Sequence, residues 1–140
     1  MIDSLVITAD EAGMIAVEGL LEHFFEENHL ASYSATISVA VMQAVSYAVK
    51  HADTDKITLR AGTCRRGVFF VVSGRTRWFD DENAEDALFF INTLSDRVEF
   101  SDEGCTLRME FDISGIYPDD SICRASRLME FEHLNVVRVL

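Results

Sequence analysis

The feature that most constrains this chain is an apolar stripe of mostly small residues. Ile37, Ala40, Val41, Ala44, Val45, Ala48, Val49 and Ala52 recur at three- and four-residue spacing, the period of one helical face, and sustain it for about four turns. Small side chains let the axis of such a helix lie close against the surface that covers it, and a sheet is the expected surface. Gln43, Tyr47 and Lys50 repeat at helical spacing on a second face of the same helix.

The segments on either side read as parts of one two-layer domain. Leu5 to Thr8 is β-prone, and Thr8-Ala9-Asp10-Glu11 has the spacing of a capping box that opens a helix. In that helix Val17, Leu20, Leu21 and Phe24 form the apolar face, Glu18, Glu22 and Glu26 face water, and Asn28-His29 marks the end. Ile57, Leu59 and Ala61 alternate as in a half-buried strand, Val68 to Val72 is a continuous apolar run suited to a central strand, and Arg66-Gly67 is the expected turn between them. Ala84, Ala87, Leu88, Ile91 and Leu94 predict a third helix, with Asp81, Glu82 and Glu85 near its positive end. Val98 and Phe100, then Asp102-Glu103-Gly104, then Leu107, Met109, Phe111 and Ile113 predict a closing hairpin. The resulting order is β-α-α-β-β-α-β-β. It predicts an α+β fold, a two-layer sandwich with a mostly antiparallel sheet and its helices on one face.

Charge limits the partners. A formal net charge of -12 argues against sequence-independent binding to nucleic acid or to an anionic membrane, since both rely on Lys and Arg meeting phosphates. No run of residues has the length and apolarity of a membrane span, and no leader pattern precedes the first strand, so a soluble cytoplasmic protein is expected. Cys64, Cys105 and Cys123 lack metal-site spacing and read as reduced thiols. Pro118 is the only proline, and it places the expected boundary between an α/β domain at 1–114 and an extension at 115–140. Within that extension Ser121 to His133 reads as a weakly amphipathic helix and Val136 to Leu140 as an apolar end. Such a segment is expected to pack on its own domain or on a second subunit.

Three stretches resemble the GHKL (histidine-kinase-like) ATPase superfamily, and within it the bacterial anti-sigma-factor serine kinases. The family's Glu-Ala-x-x-Asn-Ala-x-x-His helix motif is similar to Gln43-Ala44-Val45-Ser46-Tyr47-Ala48-Val49-Lys50-His51. Its Asp-x-Gly-x-Gly-Phe-Asp loop is similar to Gly74-Arg75-Thr76-Arg77-Trp78-Phe79-Asp80, and its closing Leu-x-Asp-x-Val and Gly-Thr run to Leu94-Ser95-Asp96-Arg97-Val98 and Gly104-Cys105-Thr106. The likeness spans about Leu5 to Ile113. It implies a histidine-kinase-like ATPase fold.

The chemical positions depart from that pattern together. Where the family has a general base, Gln43 cannot accept a proton near neutral pH. Where it has the Mg²⁺ ligand, Tyr47 offers a bulky neutral phenol instead of a compact oxygen donor. Gly74 replaces the aspartate that reads adenine, while Thr76 and Trp78 stand where family glycines allow close approach to the ligand. The acidic segment Asp80 to Asp86 replaces a long lid and would repel a triphosphate.

The resemblance therefore implies a non-catalytic regulatory protein that uses no cofactor and binds a protein partner, either a sigma factor, an anti-sigma antagonist or a second copy of the chain. Tyr47, Lys50, Trp78 and Phe79 are the candidate partner-binding residues. Gln43 and Tyr47 are equally compatible with an ordinary polar helix face, and Trp78-Phe79 with a plug in the former base pocket. His51 at the helix end is explained by its interaction with the helix dipole. Two alternatives stay open: a kinase that uses ATP and Mg²⁺ through Asp80, Asp81 or Glu82, and a scaffold with an unrelated role.

Overall fold

The computed structural model describes residues 2–51, 54–74 and 84–113. Thr76, Trp78, Phe79, the acidic stretch before Ala84 and the 115–140 extension lie outside the described residues.

Strand β1 (Ile2–Thr8) leads into helix α1 (Glu11–Glu27), a short 3₁₀ turn (Ala31–Tyr33) and helix α2 (Ser34–His51). Strands β2 (Lys56–Cys64) and β3 (Gly67–Ser73) follow, then helix α3 (Ala84–Leu94), strand β4 (Arg97–Ser101) and strand β5 (Thr106–Asp112). The described residues thus form an α+β domain with the expected element order. Its sheet runs β1-β2-β3-β5-β4, with every neighbouring pair antiparallel. The direction of each connection follows from how often the chain crosses the domain. Two helices between β1 and β2 return the chain antiparallel, whereas the single helix α3 between β3 and β4 returns it parallel and leaves the slot that β5 fills.

Register gathers an apolar set from all five strands onto one face, while Phe69 and Val71 of β3 alternate onto the other. Leu5, Leu59, Val72, Leu107 and Phe100 are aligned across the sheet, as are Ala61, Phe70, Met109 and Val98. A slip of one residue in any strand would turn that set to the other face. The helices cover this face with Val17, Leu21 and Phe24 of α1, the stripe of α2, and Ile91 and Leu94 of α3. Ala40, Ala44 and Ala48 are essentially inaccessible, at 0, 0 and 1% exposed, as the small-residue stripe requires. Phe70 ties the layers together, with edge-to-face contacts to Phe24 at 5.2 Å and Phe111 at 6.0 Å.

The opposite face of the sheet is held by charge. Arg97 of β4 reaches Asp112 at 2.7 Å and Glu110 at 3.4 Å, and the Asp112 bond, ahead of Glu110, raises the guanidinium above its usual pKa. Arg108 lies over the Phe69 ring, 4.1 Å from its centroid. No helix among the described residues is long and apolar enough to cross a membrane.

Local starts and turns differ from the sequence reading by two residues and by one. The cap of α1 is Asp10, not Thr8: the Asp10 carboxylate accepts the Gly13 N–H at 3.0 Å, and the Thr8 hydroxyl donates to the same carboxylate at 2.6 Å. Thr8 is still in β1, paired with Lys56, so the strand claims the backbone that a cap needs. The β2–β3 turn is Arg65-Arg66, and Gly67 is the first residue of β3. A Cβ on Gly67 would overlap the Phe111 carbonyl oxygen and crowd the Ile113 amide.

Two glycine substitutions should therefore have opposite signs. Gly19 lies mid-helix in α1 with nothing near its missing Cβ, so Gly19→Ala should stabilise the protein by about 0.5–1 kcal/mol. Gly67→Ala should destabilise it by about 1–3 kcal/mol through the overlap with backbone atoms. Urea denaturation of the two variants measures both.

The cap gives a pH signature. Asp10 has its pKa lowered from 3.8, first by the Thr8 hydroxyl and then by the Gly13 amide. A carboxyl whose folded pKa lies below its unfolded one adds stability above the unfolded value, near 3.9, and that stability is lost as pH falls through the folded value. Asp10→Ala should lower the melting temperature at pH 7, and the gap from the parent protein should shrink as pH drops below about 4.

Candidate functional site

Helices α2 and α3 pack along each other and leave a cleft of about 320 Å³. Gln43, Ser46, Tyr47, Lys50 and His51 line it from α2, and Asp86 and Ala87 line it from α3. The helical spacing that linked Gln43, Tyr47 and Lys50 in the sequence thus brings all three to one place. Gly74 is not in the lining; it follows β3 and donates its N–H to the Cys105 carbonyl at 3.3 Å.

The cleft residues differ sharply in how they are held. Lys50 is exposed and Gln43 half-buried, so both present polar groups to the cleft mouth. Tyr47, placed by its spacing off the apolar stripe, is only 5% exposed and belongs to the hydrophobic core cluster. Its ring lies tilted against the imidazole of His51, with centroids 4.4 Å apart. The helix turn that separates Tyr47 from His51 makes this contact local, as i,i+4 pairs are. His51 also sits in the last turn of α2.

These groups offer a ligand both charge and hydrogen bonds, and they include two side chains, His51 and Asp86, of the types that transfer protons. The Gln43 amide both donates and accepts hydrogen bonds without titrating. Lys50 supplies a positive charge, and Asp86 is the one carboxylate in the described lining. A divalent ion such as Mg²⁺ requires several compact oxygen ligands. Gln43, Ser46 and Asp86 are the described lining residues with side-chain oxygens of that kind.

A second and larger depression, about 710 Å³, runs on the other flank of α2. Its floor is Leu21, Phe25 and Met42, one wall is Glu18, Glu22 and Glu26 of α1, and the other is Ala31, Ser34 and Ser38. The sequence reading assigned those glutamates to water and went no further. The signal was present as a like-charged line at i, i+4 and i+8, a spacing that costs a helix about 0.2–0.5 kcal/mol per adjacent pair.

No family model matches the chain, and no curated protein does so either.

If Tyr47 is chiefly a packing residue, Tyr47→Ala should cost about 3–5 kcal/mol, the range for a buried aromatic. Gln43→Ala should stay within about 0.5 kcal/mol of the parent, as for surface positions. Chemical denaturation followed by circular dichroism distinguishes the two positions.

Proposed function

We propose that this protein is a non-catalytic regulatory protein, similar to an anti-sigma factor, that binds a protein partner on an ATPase-like platform without turning over ATP. The observation that carries the reading is the state of Tyr47. At the position where the resemblance expects a metal-holding asparagine, a phenol ring is 5% exposed and tilted against His51, with centroids 4.4 Å apart. Its volume is committed to packing rather than to a hydrated cation.

Gln43, at the position of the expected base, adds the loss of a proton acceptor, a change worth about 10²–10⁴-fold in rate where such a base operates. The partner on this reading is a sigma factor, an anti-sigma antagonist or a second copy, and the protein works in the cytoplasm. Of the two described candidate contact residues, Tyr47 is buried and Lys50 at the cleft mouth is exposed.

The test is thermal unfolding with and without Mg-ATP, together with an assay for released ADP. A nucleotide at about 100 times its Kd would add about 2.7 kcal/mol of stability. The expected outcome is an unchanged melting temperature and no ADP. A rise in melting temperature that requires Mg²⁺ would replace this reading with the kinase.

A further inference from the structure

We infer that the groove between α1 and α2 is a docking surface for a helical segment of another protein, one whose apolar stripe is flanked on one side by Lys or Arg. The inference rests on the reading of this chain as a protein-binding module and names the chemistry of what it binds.

Three properties of the groove fix that chemistry. Its floor of Leu21, Phe25 and Met42 is apolar, and the depression is large, at about 710 Å³, which suits the apolar face of an inserted helix. Its walls differ in charge: Glu18, Glu22 and Glu26 line one side, while Ala31, Ser34 and Ser38 line the other. Among the described residues no basic side chain pairs with these three glutamates, whereas the adjacent Glu27 is already engaged by His23 at 3.0 Å. From Glu18 to Glu26 the acidic wall runs about 12 Å at 1.5 Å per residue, matching two turns of a partner helix lying along it.

The outer face of α1 extends the same surface. Ile15 is 65% exposed, one turn before Glu18 and two before Glu22, and Gly19 leaves open space where a side chain would stand. Among the described residues nothing lies within 4 Å of a Cβ built on Gly19. An exposed large apolar residue beside a bare stretch of backbone allows a second helix to approach closely. The net charge of -12 would speed the encounter with a basic segment, and the groove would set its orientation.

The probe is a fluorescein-labelled amphipathic peptide of leucine and lysine, roughly 14 residues or four helical turns long, titrated with the full chain and followed by anisotropy. A matched peptide with glutamate for lysine is the control. The basic peptide should bind and the acidic one should not. Glu22→Lys with Glu26→Lys should weaken binding by at least about tenfold, while Glu99→Lys with Glu103→Lys, the same change in total charge on the β4 side, should change it by less than about threefold. Ser38→Trp, which fills the groove without altering charge, should also weaken it by about tenfold. Melting temperatures confirm that each variant is folded.

The inference is overturned if the basic peptide does not bind, or if the two charge reversals weaken it equally, which would mean attraction by bulk charge alone. It is overturned in favour of a second copy if the protein sediments as a dimer that the Glu22/Glu26 reversal disperses. Tighter peptide binding to a chain carrying Arg124→Glu and Arg127→Glu would overturn it in favour of the chain's own C-terminal segment. Mg-ATP turnover would remove the reading as a non-catalytic module without changing any of these peptide affinities, so the two failures can be told apart.

Discussion

Close packing of α2 against the sheet is the contact on which the rest of the domain depends. Ala40, Ala44 and Ala48 bring the helix backbone near the strands, and Ile37, Val41 and Val45 fill the space beside them, all 1% exposed or less. Because α2 sits this deep, α1 and α3 pack against it as well as against the sheet. Each side of α2 then becomes a seam between two helices. The groove is the α1–α2 seam and the cleft is the α2–α3 seam, so both candidate surfaces are consequences of one buried helix.

The seams differ because α2 contributes different residues to each. Toward α3 it presents Gln43, Ser46, Tyr47, Lys50 and His51; toward α1 it presents Ser34, Ser38 and Met42. Tyr47 and His51 close much of the first seam from within, leaving it small and polar. The second stays open because Ser34 and Ser38 are short and the long side chains of α1 on that wall are carboxylates that favour water. Both seams lie open at the surface rather than tightly enclosed, the first lined by His51 and Asp86 among its titratable groups and the second by three glutamates. Recognition of a surface does not need such enclosure.

Among the described residues, charge pairs line the sheet face turned away from the helices at its β4 edge. Arg97 bridges Glu110 and Asp112, and the backbone N–H of Asp112 donates to Asp96 at 2.6 Å. These contacts pin β4, the short edge strand, to β5. Paired charges along a short edge also discourage further strands from adding to it. Exposed ion pairs of this kind contribute little to stability on their own. Their value here is in fixing register and limiting edge pairing.

Periodicity in the sequence determined the elements and most of the core. The stripe on α2, the alternation in β2 and β5 and the continuous run in β3 are local patterns, because burial repeats with the geometry of each element and is written into neighbouring residues. The spacing of Gln43, Tyr47 and Lys50 likewise announced a shared helix face. What the sequence could not determine was what that face would meet. Tyr47 became a core residue once α3 was set beside α2, and the glutamates of α1 became the wall of a groove only once α2 was set beside them. The strand order, with β5 between β3 and β4, and the shift of the α1 cap from Thr8 to Asp10 were also decided in three dimensions. Each depends on which distant backbone competes for the same hydrogen bonds, and a local pattern carries no record of that competition.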